Sequence, residues 1–275
     1  MEPRAIRVRW LVAGLLLVLG GVVLLWAVLE WPWLRGQALE QGPVWPAQGT
    51  VAEAAAGEDS PEAQARRRMI ERDLRGRDIT DEAVLEVMGR VERHRFVPDD
   101  LQAQAYADHP LPIGHGQTIS QPYIVALMTQ LVRPKKSDRA LDIGTGSGYQ
   151  AAVLAELCQE VYGIEILEPL AEGAKRRLAE LGYKNVTVRS GDGYQGWPEK
   201  APFDVIVVAA APDHVPKPLM EQLAPGGRLV IPVGRFDQEL LLVEKQKDGS
   251  LRQKSVIPVM FVPMTGEAQQ PAKDE

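Results

Sequence analysis

The chain has 275 residues, 45% of them hydrophobic and 25% charged, a globular balance with room for one large domain or two small ones. A formal net charge of −6 gives nucleic acid no electrostatic footprint, and the four histidines show no metal-ligand spacing, so neither nucleic acid nor a metal is expected as a partner. The single cysteine, Cys158, can form no intrachain disulfide and falls in an apolar helical pattern, as an inert buried thiol would.

The amino end differs from the rest. Trp10 to Leu29 is uncharged and almost wholly apolar, and Arg4, Arg7 and Arg9 precede it. As a helix this run would span about 30 Å, enough to cross a bilayer core. A signal anchor and a cleaved signal peptide both fit. The run exceeds the usual apolar length of a signal peptide and no clean A-x-A site follows, which favours a transmembrane anchor over residues 1–30. Residues 31–59 hold Pro, Gly, Ala and Glu without periodicity and read as a linker.

The folded part is expected from residue 60 to 266. Ser60-Pro61-Glu62 has the form of an N-cap, a first-turn proline and a first-turn acid, and the helix it opens stops near Gly76. Thr80 then caps a second helix, in which Val84, Leu85, Val87, Met88 and Val91 recur at helical spacing. Arg66-Arg67-Arg68 reads as a solvated face, with lipid headgroups as the alternative. Next comes LPIGHGQTISQP, Leu111 to Pro122, which fits no regular element, and a helix over Tyr123 to Leu131 for which Ser120 is a candidate cap. Residues 60–135 thus form a helical part with a loop.

From 136 to 266 short apolar runs alternate with helical patterns. Strands are predicted over Ala140–Ile143, Val161–Ile166, Val186–Arg189, Val205–Ala209 and Leu229–Pro232, with helices over Tyr149–Leu157 and Leu170–Leu181. Such alternation predicts an α/β fold, a doubly wound and mostly parallel sheet covered on both faces. Asp248-Gly249 between Leu240–Lys245 and Ser255–Val262 predicts an antiparallel edge hairpin. Residues 267–275 read as a disordered tail.

The chemistry is in the loops. Asp142-Ile143-Gly144-Thr145-Gly146-Ser147-Gly148 is a strand passing through glycines into a helix, where backbone can approach a ligand closely. The spacing is G-x-G-x-G, with Tyr149 where a dinucleotide fingerprint would carry its third glycine, so a smaller anionic end is expected, such as the carboxylate of S-adenosylmethionine. Glu165 ends the second strand, where a carboxylate can accept both ribose hydroxyls, or merely face solvent. Gly191-Asp192-Gly193 follows the third strand. Asp192 suits an adenine amino group there, or a plain turn.

From about Asp81 to Thr265 the chain resembles the protein-L-isoaspartate O-methyltransferase family. The resemblance rests on RHRFVP, AYADHPLPIGHGQTISQPYIVA, LDIGTGSGYQAAVLA, GDGYQGWPEKAPFDVIVVAAAP, PGGRLVIPVG and FVPM. The segment Gln117 to Pro122 is the specific one, since general methyltransferases lack it. The family implies methyl transfer from S-adenosylmethionine to the free carboxylate of isoaspartyl residues in damaged proteins and peptides. The ester then collapses to a succinimide, whose hydrolysis returns some normal aspartate. It implies Ser120 as the active-site serine and Gln117, Thr118, Ile119, Asp142, Gly144, Gly146, Gly148, Glu165, Asp192 and Gly193 as the cofactor site, with no metal. The amino-terminal segment departs from the family, many of whose members begin near Ile70. Its arginines predict an outside enzyme, whereas a cofactor made inside predicts a catalytic domain on the cytoplasmic face of the inner membrane.

Two other readings stay open. A methyltransferase for another carboxylate or a small molecule would keep Glu165 and Asp192 but give the 117–122 loop no purpose. A non-catalytic S-adenosylmethionine-binding module would hold cofactor and methylate nothing. The glycine spacing disfavours a nicotinamide dehydrogenase.

Overall fold

The computed structural model describes residues 60–269. The expected membrane anchor, the linker before Ser60 and residues 270–275 lie outside the described residues. Within them, no helix is long and apolar enough to cross a membrane.

Helix α1 (Pro61–Arg68) opens as expected, with Ser60 Oγ accepting from Ala63 N at 3.1 Å, and continues as a π-helical stretch over Met69–Arg75. Helix α2 (Glu82–Arg90) is capped one residue later than expected. Asp81, not Thr80, accepts from Ala83 N and Val84 N at 3.0 and 3.3 Å. A carboxylate takes two orphan donors and complements the helix dipole, while Thr80 N is turned to Gln130 Oε1 at 2.7 Å.

The segment expected to lack regular structure is a small hairpin. Strand β1 (Leu111–Gly114) pairs antiparallel with β2 (Gln117–Ile119), Leu111 opposite Ile119. His115 and Gly116 turn the chain with φ of 53° and 71°, the positive values a two-residue hairpin loop needs. Helix α3 (Pro122–Val132) follows.

The main sheet has seven strands in the order β5-β4-β3-β6-β7-β8-β9. These are β3 (Arg139–Ile143), β4 (Glu160–Glu165), β5 (Val186–Ser190), β6 (Phe203–Val208), β7 (Leu223–Val233), β8 (Gln238–Lys245) and β9 (Leu251–Val259). Pairings from β5 through β7 are parallel, and β8 and β9 add antiparallel, as expected. Helices α4 (Tyr149–Ala155), α5 (Glu168–Glu180) and α6 (Lys217–Gln222) connect them.

The central strands are apolar on both faces because both are covered. Ala140, Val161, Val205 and Val207 pack into one cluster with α3 and α4, and their neighbours Leu141, Tyr162, Ile206 and Val208 into another with Leu219 of α6. The first cluster also takes in Met69, Val84, Met88, Val125 and Met128, so residue 135 marks no boundary in the packing. Cys158 is buried, and burial pushes its thiol up to about 12, which leaves it inert at neutral pH.

Strand β9 starts and ends earlier than expected. Beyond it, Phe261 finds its partners in a side chain: Phe261 N donates to Gln238 Oε1 at 2.6 Å and Gln238 Nε2 donates to Phe261 O at 3.1 Å. Val262 and Met264 then bond the backbone of Ala211, which forms an isolated parallel bridge with Pro263. The tail expected from residue 267 begins instead as a 3₁₀ turn, Gly266–Gln269, whose Ala268 is buried.

Candidate active site

Chain order reverses at β3: the chain moves outward to β4 and β5, then returns to place β6 on the other side. The carboxyl ends of strands flanking such a point form a crevice. The cleft there is walled by the loop after β3, the end of β4, Gly193 after β5, Ala209 and Ala210 after β6, the β1–β2 hairpin and residues 262–265.

The loop after β3 is fastened to β4. Gly144 N donates to Ile164 O at 2.9 Å and Gly146 N to Glu165 Oε2, also at 2.9 Å. Glu165 Oε1 accepts from Leu167 N at 3.0 Å, so this buried carboxylate joins two walls of the cleft. Each oxygen keeps a second acceptor site for a ligand hydroxyl. Gly146 has φ 53°, a conformation that favours glycine, and a Cβ there would press on Ile113 Cδ1 of the hairpin at 3.1 Å, so glycine eases the close approach of the two loops. From α5, Arg177 Nη1 donates to Ser147 O at 2.8 Å and steadies the far end of the loop.

The hairpin side is steadied by Asp108, which sequence reasoning missed. Its Oδ1 accepts from Tyr123 N at 3.0 Å and its Oδ2 from Gln121 Nε2 at 3.3 Å, with Arg77 Nη1 also at 3.2 Å from Oδ2. The Arg77 guanidinium lies over the Tyr123 ring, 3.3 Å from its centroid. Asp108 therefore caps α3 across 15 residues of chain. Gln121 sits at the cap position but its side chain does not cap the helix, and neither does Ser120. Ser120 is half-buried and lines the cleft instead. A cap so distant leaves no local signal. The only hint was an aspartate before a proline-containing turn.

Gln117, Thr118, Ile119, Ser120, Gly144, Gly146, Glu165 and Gly193 all line the cleft. Asp142, Gly148 and Asp192 are outside its wall. Gly148 is the cap position of α4, with φ 94°, packed beneath Leu178 of α5. Asp192 Oδ1 accepts from Tyr194 N at 2.9 Å and its Oδ2 from Glu267 N at 2.7 Å. Asp142 is fully buried, and neither carboxylate oxygen has a hydrogen-bond partner among the described residues. Burial pushes it up to about 7; the Thr145 hydroxyl opposes this in part and the Glu165 charge adds to it. The Thr145 hydroxyl itself is directed to the carbonyls of Asp142 and Ile164, at 3.2 and 3.4 Å.

The donor set fits the expected cofactor. A buried carboxylate suits a ribose diol, glycine backbone permits close approach, and Ile143, Ile164, Ile166 and Leu167 supply apolar walls for a base. Among the described residues no cluster of His, Cys, Asp and Glu is arranged to hold a metal ion.

Comparison with known proteins agrees with this geometry. The family model for "Protein-L-isoaspartate(D-aspartate) O-methyltransferase (PCMT)" matches residues 64–269. A protein-L-isoaspartate O-methyltransferase of Opitutus terrae is 58% identical over 219 residues, covering 79% of this chain and 94% of its own. One from Nitrosospira multiformis is 61% identical over 186 residues, covering 67% and 79%. Among solved structures, a protein-L-isoaspartate O-methyltransferase superposes with a TM-score of 0.68 at 30% identity, over 74% of this chain and 67% of that one. A beta-aspartate methyltransferase from Plasmodium falciparum, in complex with S-adenosyl-L-homocysteine, gives 0.64 at 28% identity, over 73% and 98%.

Proposed function

We propose how this chain works from the premise that it belongs to the protein-L-isoaspartate(D-aspartate) O-methyltransferase family. It is an S-adenosylmethionine-dependent methyltransferase acting on isoaspartyl residues in protein repair. The observation that carries the assignment of residues is the single cleft in which the Gln117–Ser120 strand and turn face the glycine loop and Glu165.

The cofactor, when bound, supplies an electrophilic methyl group on a positively charged sulfur. Glu165 holds the ribose hydroxyls on its two remaining acceptor sites, and Gly144 and Gly146 admit the rest of the molecule to the loop. Gly193 walls the adenine end, and Asp192 stands just outside that wall with one acceptor site left on each oxygen for the adenine amino group. Gln117, Thr118 and Ile119 cover the cofactor from the hairpin side. Gly148 turns the chain from the loop into α4, and Asp142 lies buried beneath the loop with both carboxylate oxygens unpartnered among the described residues.

The acceptor is a main-chain-type carboxylate with a pKa of about 3.3–3.7, ionised at neutral pH, so no general base is needed. It needs orientation and partial loss of water. The Ser120 hydroxyl orients it by donating one hydrogen bond, and Ile119, Val262 and Met264 exclude water around it. Transfer of labelled methyl to an isoaspartyl peptide, beside its aspartyl twin, tests this. Label in the first and none in the second is expected; equal labelling would end the repair reading.

We also propose that residues 1–30 tether the enzyme to the membrane, with the catalytic domain on the cytoplasmic face where its cofactor is made. The uncharged run Trp10 to Leu29 behind three arginines supports this. Deletion of residues 1–59 should release active enzyme into the soluble fraction. A carboxyl-terminal reporter active only outside the cytoplasm would reverse the sidedness.

A further inference from the structure

Among the described residues, two large apolar side chains stand almost wholly in solvent: Phe236 at 93% exposure and Met260 at 92%. Phe236 is in the turn between β7 and β8, and Met260 follows β9. The last pair of the β8–β9 ladder is Gln238 with Val259, so both residues lie just past the same end of that ladder. That end is the carboxyl edge of the sheet, because β7 runs parallel to β6.

The turn and the cleft are joined. Gly234 N donates to Pro212 O at 2.9 Å, and the neighbouring Ala211 bonds Val262 and Met264, which line the cleft two and four residues beyond Met260. Arg235 Nη2 approaches Asp213 Oδ2 at 3.7 Å, a further tie between the same two loops. Exposed side chains of this size are otherwise rare here; the next, Leu251 and Ile166, are 41% and 39% exposed.

We infer that Phe236 and Met260 form a docking platform for the polypeptide on either side of the modified residue, selecting substrates with apolar or aromatic side chains close to the isoaspartyl. This rests on the methyl-transfer reading above. A cleft that admits one residue's carboxylate leaves the substrate chain lying across its rim. At about 3.3–3.6 Å per residue, two or three flanking residues reach roughly 7–11 Å from the reacting centre. Unfolded segments present apolar side chains there, and burying them against two exposed ones removes apolar surface of both partners from water.

The test uses the full-length chain and two isoaspartyl peptides of equal length, one with Phe and Leu within three residues of the isoaspartyl, the other with Ser and Gly. Wild type should show a KM about tenfold lower for the apolar peptide. The double variant Phe236→Ser/Met260→Ser should lose that difference, with kcat and S-adenosylmethionine affinity unchanged, since neither residue lines the cleft. Equal KM values in wild type, or an undiminished preference in the variant, would overturn the platform while methylation of both peptides leaves the reaction intact. Absence of methylation from both would overturn the reaction and the platform together. Sedimentation showing that wild type self-associates and the variant does not would make the patch a contact between copies and would also overturn it.

Discussion

Ser120→Ala is the sharpest perturbation the structure offers. Helix α3 starts at Pro122, and its orphan Tyr123 N is served by Asp108 at 3.0 Å. Ser120 makes no hydrogen bond among the described residues, so alanine removes no bond within the protein and leaves no group unpaired. Stability should stay within about 0.5 kcal/mol of wild type, as for a substitution away from caps and core. Turnover should behave differently. A hydrogen bond to a charged group contributes about 1.5–3 kcal/mol, which corresponds to a rate loss of roughly 10- to 150-fold. The assay is labelled methyl transfer to an isoaspartyl peptide at saturating cofactor, with denaturant unfolding and calorimetric cofactor binding on the same preparation. Slow turnover with normal unfolding and normal cofactor affinity is expected. A folded alanine variant that turns over within about twofold of wild type would show that the hydroxyl does not orient the carboxylate, and the reasoning would fail.

Glu165→Ala should weaken S-adenosylmethionine binding by about 1.5–3 kcal/mol in calorimetry; it also frees Gly146 N and Leu167 N, so unchanged affinity in a folded variant would remove Glu165 from the site. Asp108→Ala should lower stability by about 1 kcal/mol through loss of the α3 cap, with Asn recovering most of it, read as unfolding midpoints. Turnover should fall with Asp108→Ala because Ser120 lies just before the capped turn. Asp142, held near 7 against an ordinary value of about 3.9, binds a proton in the folded chain that the unfolded chain has released. Its contribution to stability is therefore fullest below about pH 4 and is lost as pH rises to about 7. Asp142→Asn should lose less stability than wild type between pH 5 and pH 8, and parallel pH profiles would contradict the buried, unpartnered carboxylate.

The parallel sheet was legible because its strands are short, apolar and bounded by glycines, and because Asp248-Gly249 marks the edge turn. Glu165 and the glycine loop were legible for the same reason: they stand at fixed places relative to strand ends. What failed depended on partners distant in sequence or on choices between neighbours. Thr80 and Asp81 are both good caps, and the backbone N–H groups of both are held by Gln130 Oε1, 50 and 49 residues away, a tie that no local pattern announces. Ser120 resembled a cap because nothing local announces that Asp108 has that role. The hairpin at Leu111–Ile119 escaped notice because its strands have four and three residues and its turn uses His-Gly rather than Asn-Gly. Asp192 is a separate case: its turn bond to Tyr194 N was legible, whereas the bond it accepts from a segment 75 residues on was not.

That later segment, residues 261 to 269, is attached differently from the sheet it crosses. It is held by the Gln238 side chain, by two bonds to Ala211, by Glu267 N on Asp192 and by Gln195 Nε2 donating to the Glu267 carboxylate, with Met264 and Ala268 as its buried apolar anchors. At about 0.5–1.5 kcal/mol per hydrogen bond, releasing these few ties costs only part of the 5–15 kcal/mol that holds a whole domain. Amide protons of Phe261, Met264 and Glu267 should therefore exchange with solvent well before those of β3 and β6. Since Val262 to Thr265 form one wall of the cleft, such a local opening would widen the cleft while every strand of the sheet stays in register.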